Sequence, residues 1–258
     1  MNKLFISAVL VSILALPSVA MSFPTGLVGY WSGETNGNDS SGHNHHAQLQ
    51  NGAQAGLPGL VGGAFLFDGI DDFAETPVTL TEQGTINLWV NPVHIDGGVN
   101  GIIGTPGIAV GADRLWISFG GDSIGNRWVI NLGSGSVDDI NVPGALSIGE
   151  WTHLALTFDY LADEYLLYVN GVLAASSFAL RDVPTQSLEF GGFHSNFGQN
   201  FFFNGLIDEV TLFDRVLNPT EIQGMFNFTQ PIPEPSTMLL LGSGLVGLIG
   251  YRMRKSQA

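Results

Sequence analysis

The chain has 258 residues, including 35 glycines and no cysteine, and its formal net charge at pH 7 is −15. Without cysteine it can form neither disulfides nor a thiolate-dependent metal or catalytic site. Residues 21–234 hold all 23 acidic residues against four arginines and no lysine, which gives this part a formal charge of −19. Such a segment repels nucleic acid and anionic membrane surfaces, and it suits an extracellular protein that binds a cation such as calcium.

The N-terminal segment predicts export. Lys3 precedes an uncharged apolar run over residues 4–16, and Pro17 and Ser18-Val19-Ala20 follow it. This order is typical of a Sec signal peptide, here residues 1–20 with cleavage after Ala20. A retained membrane anchor is the alternative, but the apolar run is short for a bilayer-spanning helix.

Residues 21–229 predict a single all-β domain. Short β-branched and aromatic runs recur between glycine, asparagine and aspartate residues. The clearest hairpin joins residues 164–169 to residues 172–175 through Asn170-Gly171, a pair that provides the two positive φ angles of a type I′ turn. Many strands with few helices predict a two-sheet antiparallel jelly-roll sandwich.

One short helix is expected near the end of this domain. Asn218 is placed as its N-cap, Pro219 as its first helical residue, and Glu221 as the acidic partner of a capping box.

Seven segments of this domain, in chain order, resemble the laminin G-like (concanavalin A-like) jelly roll. They are residues 26–31, 39–47, 64–73, 85–90, 151–159, 167–171 and 203–210. The resemblance covers nearly all of the domain and departs from the family pattern between Ile95 and Leu146. It implies a protein that binds glycans or other proteins and that often carries a calcium ion.

The resemblance also places two acidic residues close together. In this fold the first and last strands are antiparallel neighbours, which would bring Asp39 near Asp208. Two carboxylates with the carbonyl groups of residues Ser41 to Asn44 would form an oxygen-rich site suited to calcium. In the alternative, Asp39 caps a turn and Asp208 pairs locally.

Three histidines, His43, His45 and His46, suggest zinc, but no further partner completes a zinc site. His46 is instead expected to begin a strand with its ring partly buried.

The acidic residues do not follow the pattern of a jelly-roll glucanase, which carries its acids on one strand face as Glu-x-Asp-x-x-Glu. Asp68, Asp71 and Asp72 are expected in a turn between two strands. Regular strand alternation would place Asp208 and Glu209 on opposite faces of their strand. Glycoside hydrolysis needs two carboxyl groups that flank one bond.

The aromatic residues fall into two groups. Trp31, Trp89 and Trp151 match core positions of the resemblance and are expected to be buried. The remaining rings of Trp116, Trp128 and Phe201 are predicted to form an exposed face for sugar stacking or protein contact.

The C-terminal segment, residues 230–258, combines three features in order. Pro233-Glu234-Pro235 interrupts regular structure, residues 238–251 are apolar and uncharged, and Arg252, Arg254 and Lys255 follow. This order resembles a PEP-CTERM sorting signal, found on exported or surface proteins of Gram-negative bacteria. The resemblance implies a transmembrane helix at about 238–251 that holds the protein transiently in the inner membrane. It also implies a cut near the Pro-Glu-Pro motif by an exosortase-type membrane protease.

These features predict an exported, surface-associated, non-enzymatic protein that binds extracellular polysaccharide or envelope protein at the cell surface or in the extracellular matrix. Two alternatives stay open. One is a glycan-active jelly-roll enzyme, either a glycoside hydrolase or a lyase, and the other is a structural component whose acidic surface hydrates the matrix.

Overall fold

The structure is a computed structural model, and it describes residues 23–106, 114–121, 126–132, 140–144, 146–178, 182–194 and 201–228. This part of the chain contains 17 strands and one helix. The strands are β1 (Leu27–Trp31), β2 (Gln48–Gln50), β3 (Gln54–Pro58), β4 (Gly63–Asp68), β5 (Phe73–Thr79), β6 (Gln83–His94), β7 (Val99–Gly104), β8 (Leu115–Gly120), β9 (Arg127–Leu132), β10 (Ile140–Pro143), β11 (Thr152–Asp159), β12 (Glu164–Val169), β13 (Val172–Phe178), β14 (Ser187–Phe190), β15 (Gly192–Phe193), β16 (Phe201–Phe202) and β17 (Asn204–Phe213). The helix is α1 (Pro219–Phe228).

The strands form two large antiparallel sheets. The eight-stranded sheet has the order β13-β12-β11-β6-β17-β4-β3, and β1 pairs with β17 outside this path. The seven-stranded sheet has the order β10-β9-β8-β7-β14-β5-β2, and β15 pairs with β16 in a separate small sheet. The predicted fold class, an all-β two-sheet antiparallel sandwich with one short helix, is confirmed.

The core lies between the two large sheets, because alternate residues of each strand point inward. In β11, Leu154, Leu156 and Phe158 belong to this core, as the alternating pattern predicts. Trp31 and Trp89 are buried, as expected for matches to the family core, but Trp89 faces away from the main core. Trp151 is only half-buried, because it precedes β11 and lies outside the sheet.

The predicted hairpin and helix start are both present. Asn170 and Gly171 have φ angles of 50° and 75°, and they join β12 to β13. The Asn218 side chain accepts hydrogen bonds from the N–H groups of Thr220 (2.9 Å) and Glu221 (3.0 Å). The Glu221 carboxylate accepts one from the Asn218 N–H (2.9 Å), which completes the capping box.

Helix α1 packs on the outer face of the eight-stranded sheet. Ile222 and Met225 of the helix form a second apolar cluster with Ala155 and Tyr168 of that sheet. The ring of Phe226 stacks on Trp89 with 5.6 Å between ring centroids. One side of the sandwich is therefore covered by the last described element of the chain.

The predicted signal peptide, with its cleavage site after Ala20, and the C-terminal segment from Pro233 to Arg254 both lie outside the described residues. Within the described ranges, no helix has the length and apolar character needed to span a membrane.

Candidate functional site

The outer face of the seven-stranded sheet carries a line of side chains that crosses six neighbouring strands. Each member is the direct partner of the next in the strand register, from β2 through β5, β14, β7 and β8 to β9. The members, which we call the cross-sheet row, are Gln48, Glu75, Glu189, Gly104, Trp116 and Asn131. Their sequence neighbours point into the core, so the row faces away from it.

Two carboxylates stand side by side in the cross-sheet row. Glu75 is exposed, whereas Glu189 is 5% exposed and lies directly opposite it on the neighbouring strand. Burial raises the pKa of Glu189, the hydrogen bond from His194 acts against this rise, and the charge of Glu75 adds to it. The His194 ring is held at 3.2 Å from the Glu189 carboxylate and packs edge-on against Phe73.

A cavity adjoins the exposed end of the cross-sheet row. Its volume is about 320 Å³. It is lined by His46, Gln48, Glu75, Thr76, Pro77 and Ser187. The cavity beside Gln48 and Glu75 is therefore surrounded by imidazole, amide, carboxylate and hydroxyl groups. These groups can form hydrogen bonds with sugar hydroxyl groups.

The other end of the cross-sheet row is covered. The ring of Phe193 stacks on Trp116 at 4.6 Å and 17°, and Phe201 lies 5.9 Å from the same ring. The Arg114 guanidinium lies 4.2 Å from the Trp116 ring centroid, and its Nε donates to the Asn131 side chain at 2.7 Å. The small β15–β16 sheet thus closes over Trp116.

The prediction that Trp116, Trp128 and Phe201 form an exposed aromatic face is wrong. Trp128 is 1% exposed and packs in the core against Phe119, because alternation in β9 points it inward with Ile130. Trp116 does lie on the outer face, but it is 7% exposed because Phe193 and Phe201 cover it. The structure brings Trp116 and Phe201 together and separates Trp128 from them.

A second acidic group lies on the outer face of the other sheet. Asp208 and Glu209 are almost fully buried there, although Glu34 beside them is exposed. The Asp208 carboxylate accepts hydrogen bonds from the N–H groups of Leu60 (2.8 Å) and Val61 (3.1 Å). Burial raises the pKa of Asp208 to about 6, and the charge of Glu34 contributes to the rise.

Glu209 is held by a single hydroxyl group. The Tyr30 Oη donates to both Glu209 carboxylate oxygens, at 2.8 and 3.0 Å. Burial, with the charges of Asp208 and Glu34, raises the pKa of Glu209 to about 7, and the hydrogen bond from Tyr30 acts against this rise. Burial together with the Glu209 charge also raises the pKa of Tyr30.

The expectation that Asp208 and Glu209 point to opposite faces is wrong. The register of β17 shifts between Asp208 and Thr211, and Glu209 has a φ of 54° at this bulge. Ile207 and Val210 on either side both point into the core, so the bulge turns both acids to the outer face. Regular alternation fails because one extra residue is inserted in the strand.

The predicted calcium pair is only partly assembled. β1 does pair with β17, with Trp31 opposite Val210, as expected. The Asp39 carboxylate, however, accepts hydrogen bonds from the N–H groups of Tyr30, Ser41 and His45 and from the Ser41 hydroxyl group. Hydrogen bonds from the Ser41 hydroxyl and these backbone groups outweigh burial and lower the pKa of Asp39. The acid whose charge acts on Asp208 is Glu34, and calcium at Asp39 and Asp208 stays a prediction.

The remaining sequence candidates have local roles. The predicted turn between β4 and β5 is present and contains Asp68, Asp71 and Asp72. Among the described residues, these three are the one group of potential metal ligands whose ligand atoms all lie within 4.8 Å of one another. Hydrogen bonds inside the turn engage Asp68 and Asp72. His46 is exposed and β2 begins at Gln48, so the expected start of a strand at His46 is wrong.

Two family comparisons match the chain. The profile of the concanavalin A-like lectin/glucanases superfamily matches residues 68–223, and that of the PEP-CTERM protein-sorting motif matches residues 231–255. The chain therefore belongs to the concanavalin A-like lectin/glucanases superfamily. The sorting motif indicates secretion with membrane-anchored sorting and implies processing by an exosortase-type membrane protease. No curated protein matches the chain.

Several solved structures share the fold. Domain 4 of AbnA, a GH43 extracellular arabinanase from Geobacillus stearothermophilus solved with arabinotriose, is 23% identical with a TM-score of 0.63, and the match covers 77% of this chain and 97% of that domain. Trypanosoma rangeli sialidase with sialic acid is 20% identical with a TM-score of 0.64, covering 84% of this chain and 36% of the sialidase. The botulinum neurotoxin type G receptor binding domain is 20% identical with a TM-score of 0.58, covering 79% of this chain and 51% of that domain.

Proposed function

We propose that this protein is an exported surface protein that binds glycan through the cross-sheet row. The jelly-roll domain together with the sorting motif suggests an exported surface protein. The observation that carries the binding proposal is the row itself. An amide, two carboxylates, a glycine, an indole and a second amide follow one another across six strands, and the end at Gln48 and Glu75 is exposed.

The open end of the row suits a carbohydrate. Gln48 and Glu75 are exposed and border a cavity of about 320 Å³, so their polar atoms can reach sugar hydroxyl groups. Gly104 has no side chain, and Trp116 fills the space beside it, because a Cβ on Gly104 would lie 2.6 Å from Trp116 Cδ1. A ligand that displaced Phe193 would find the Trp116 ring as a stacking surface.

Two structures of the same fold support the proposal indirectly. The arabinanase domain was solved with arabinotriose, and the sialidase with sialic acid. Identities near 20% carry only the fold, so the glycan assignment depends on the residues of this chain.

Glycan-array binding by the full chain in detergent tests the proposal. We expect wild-type protein to bind at least one glycan class and Gln48→Ala to weaken that binding, because the amide lies at the open end of the row. Gln54→Ala is the matched control, since Gln54 is an exposed strand glutamine on the other sheet. Absence of binding to every glycan, or equal loss in both variants, would contradict the proposal and favour a structural role.

A second candidate function is glycan hydrolysis, which Glu75 and Glu189 favour. Residues directly opposite in an antiparallel pair have Cβ atoms about 4.5–5.5 Å apart, so the Glu75 and Glu189 side chains start close enough for their two carboxyl groups to flank one bond, as glycoside hydrolysis requires. Burial raises the pKa of Glu189, which suits a proton donor, and the exposed Glu75 suits a nucleophile. Release of reducing ends by wild type but not by Glu189→Gln would support hydrolysis, whereas binding without release would exclude it.

Calcium is proposed as the cofactor of the acidic group on the other sheet. Asp208 and Glu209 are buried side by side, and no salt bridge to a basic residue is found for either within the described ranges. Carboxylate and carbonyl oxygens are the ligands that calcium prefers, and Glu34 or Asp39 could complete the set. Calorimetric titration with calcium tests this proposal, and no heat of binding by the chelator-treated protein would contradict it.

A further inference from the structure

The two central carboxylates of the cross-sheet row repel each other. Glu75 and Glu189 are direct partners on adjacent antiparallel strands and point to the same face. Like charges in this arrangement destabilise a sheet, because the side chains start about 4.5–5.5 Å apart. A ligand that carried positive charge between them would relieve this repulsion.

The described basic groups leave the open end of the row negative. The Arg114 guanidinium packs against Trp116, which lies two strands from Glu189, and its Nε donates to Asn131. His194 donates to Glu189 through its backbone N–H, and its ring also contacts Glu189. His46 lines the cavity, but its Nδ1 accepts a hydrogen bond from the Asp39 N–H (3.1 Å) and so carries no proton there. The exposed carboxylate of Glu75 therefore faces the cavity, in a domain whose formal charge is −19 over residues 21–234.

We infer, on the basis of the glycan-binding function proposed above, that the preferred ligand is a cationic polysaccharide containing amino sugars with free amines. An ammonium group has three N–H donors, so one group in the cavity can donate to the exposed Glu75 carboxylate, and its positive charge also offsets the neighbouring charge of Glu189. The Gln48 amide and Ser187 hydroxyl of the cavity wall remain for neighbouring sugar hydroxyl groups. Acidic polysaccharides are disfavoured here, because their carboxylates would face Glu75.

Paired oligosaccharides test the inference on the full chain in detergent. Chitosan hexamer carries free amines, and chitin hexamer has the same backbone with every amine acetylated and neutral. We expect chitosan hexamer to bind at least ten-fold more tightly, which corresponds to about 1.4 kcal/mol. Glu75→Gln should remove most of this preference and Glu82→Gln, the loss of an exposed acid outside the row, should retain it.

Three results would overturn the inference. Equal or tighter binding of chitin hexamer would leave glycan binding intact but exclude the cationic preference. Retention of the preference in Glu75→Gln would place its origin outside the row. Equal competition by an oligolysine of the same charge would show only non-specific attraction to an acidic domain. Binding of neither hexamer nor any other glycan would instead contradict the proposed function itself.

Discussion

Replacing Glu209 with glutamine is expected to stabilise the calcium-free protein at alkaline pH. The folded pKa of Glu209 is raised from 4.5 to about 7, mainly by burial. A raised carboxyl pKa means that the folded state binds the proton more tightly than the unfolded state. The stability from this proton is complete below pH 4.5 and is lost as the pH rises toward 7.

The size of the effect follows from the shift. The rise from 4.5 to about 7 corresponds to roughly 3 kcal/mol of stability lost by wild type at pH 8. Glutamine has a similar shape and no charge, so it avoids this loss. It keeps one acceptor for the Tyr30 hydroxyl, but its amide group costs about 1 kcal/mol if no acceptor is found. The net gain at pH 8 is therefore expected to be about 2 kcal/mol.

Urea unfolding followed by circular dichroism from pH 4 to 8, in the presence of a chelator, measures this gain. Glu209→Gln should match or fall slightly below wild type at pH 4 and exceed it at pH 8, with the crossing between the two pKa values. Glu82→Gln, an exposed acid, should follow wild type within about 0.5 kcal/mol at every pH. A Glu209→Gln variant that is less stable than wild type by the same amount at all pH values would refute the reasoning.

Three further outcomes are expected. Calcium at 100 times its Kd should stabilise wild type by about 2.7 kcal/mol, which would raise its melting temperature. Asp208→Asn should abolish this rise. An unchanged melting temperature of wild type would contradict a calcium site. Burial lowers the pKa of His153 to about 3, so its contribution to stability is lost as the pH falls below the unfolded value of 6.5. By pH 4.5 this loss approaches roughly 3 kcal/mol in wild type. His153→Gln cannot take up a proton, so in urea unfolding its stability should fall less than that of wild type between pH 6.5 and 4.5. An equal fall in both proteins would argue against a buried neutral ring. Asn218→Ala should cost about 1 kcal/mol through loss of the helix cap, and an unchanged urea midpoint would show that the cap contributes nothing.

Local signals predicted much of the fold. Asn170-Gly171 predicted its hairpin because the turn needs two positive φ angles, and Asn218 with Glu221 predicted the helix start because both side chains satisfy free N–H groups. These features depend on residues that are close in sequence, so the sequence alone can show them. The pairing of the first strand with the last came from the family resemblance.

The candidate sites depend on contacts that sequence does not show. The cross-sheet row joins residues as distant as Gln48 and Glu189, and only the strand register reveals that they are aligned. Trp128 alternates with Ile130, and both belong to the core. The ends of this strand are not evident from the sequence between Ile95 and Leu146, so the alternation alone does not assign Trp128 to the core. The bulge at Glu209 has no sequence signal, since its positive φ is adopted by a residue that rarely accepts it.

The position of helix α1 separates the sorting motif from the proposed binding site. The helix lies on the back of the eight-stranded sheet, and the sorting motif begins three residues after its end, at residue 231. The cross-sheet row occupies the front of the opposite sheet, with the whole thickness of the sandwich between. Attachment through the tail and the proposed glycan binding would therefore use opposite faces of the domain, and a molecule held by its tail would keep the proposed binding face directed away from the attachment point.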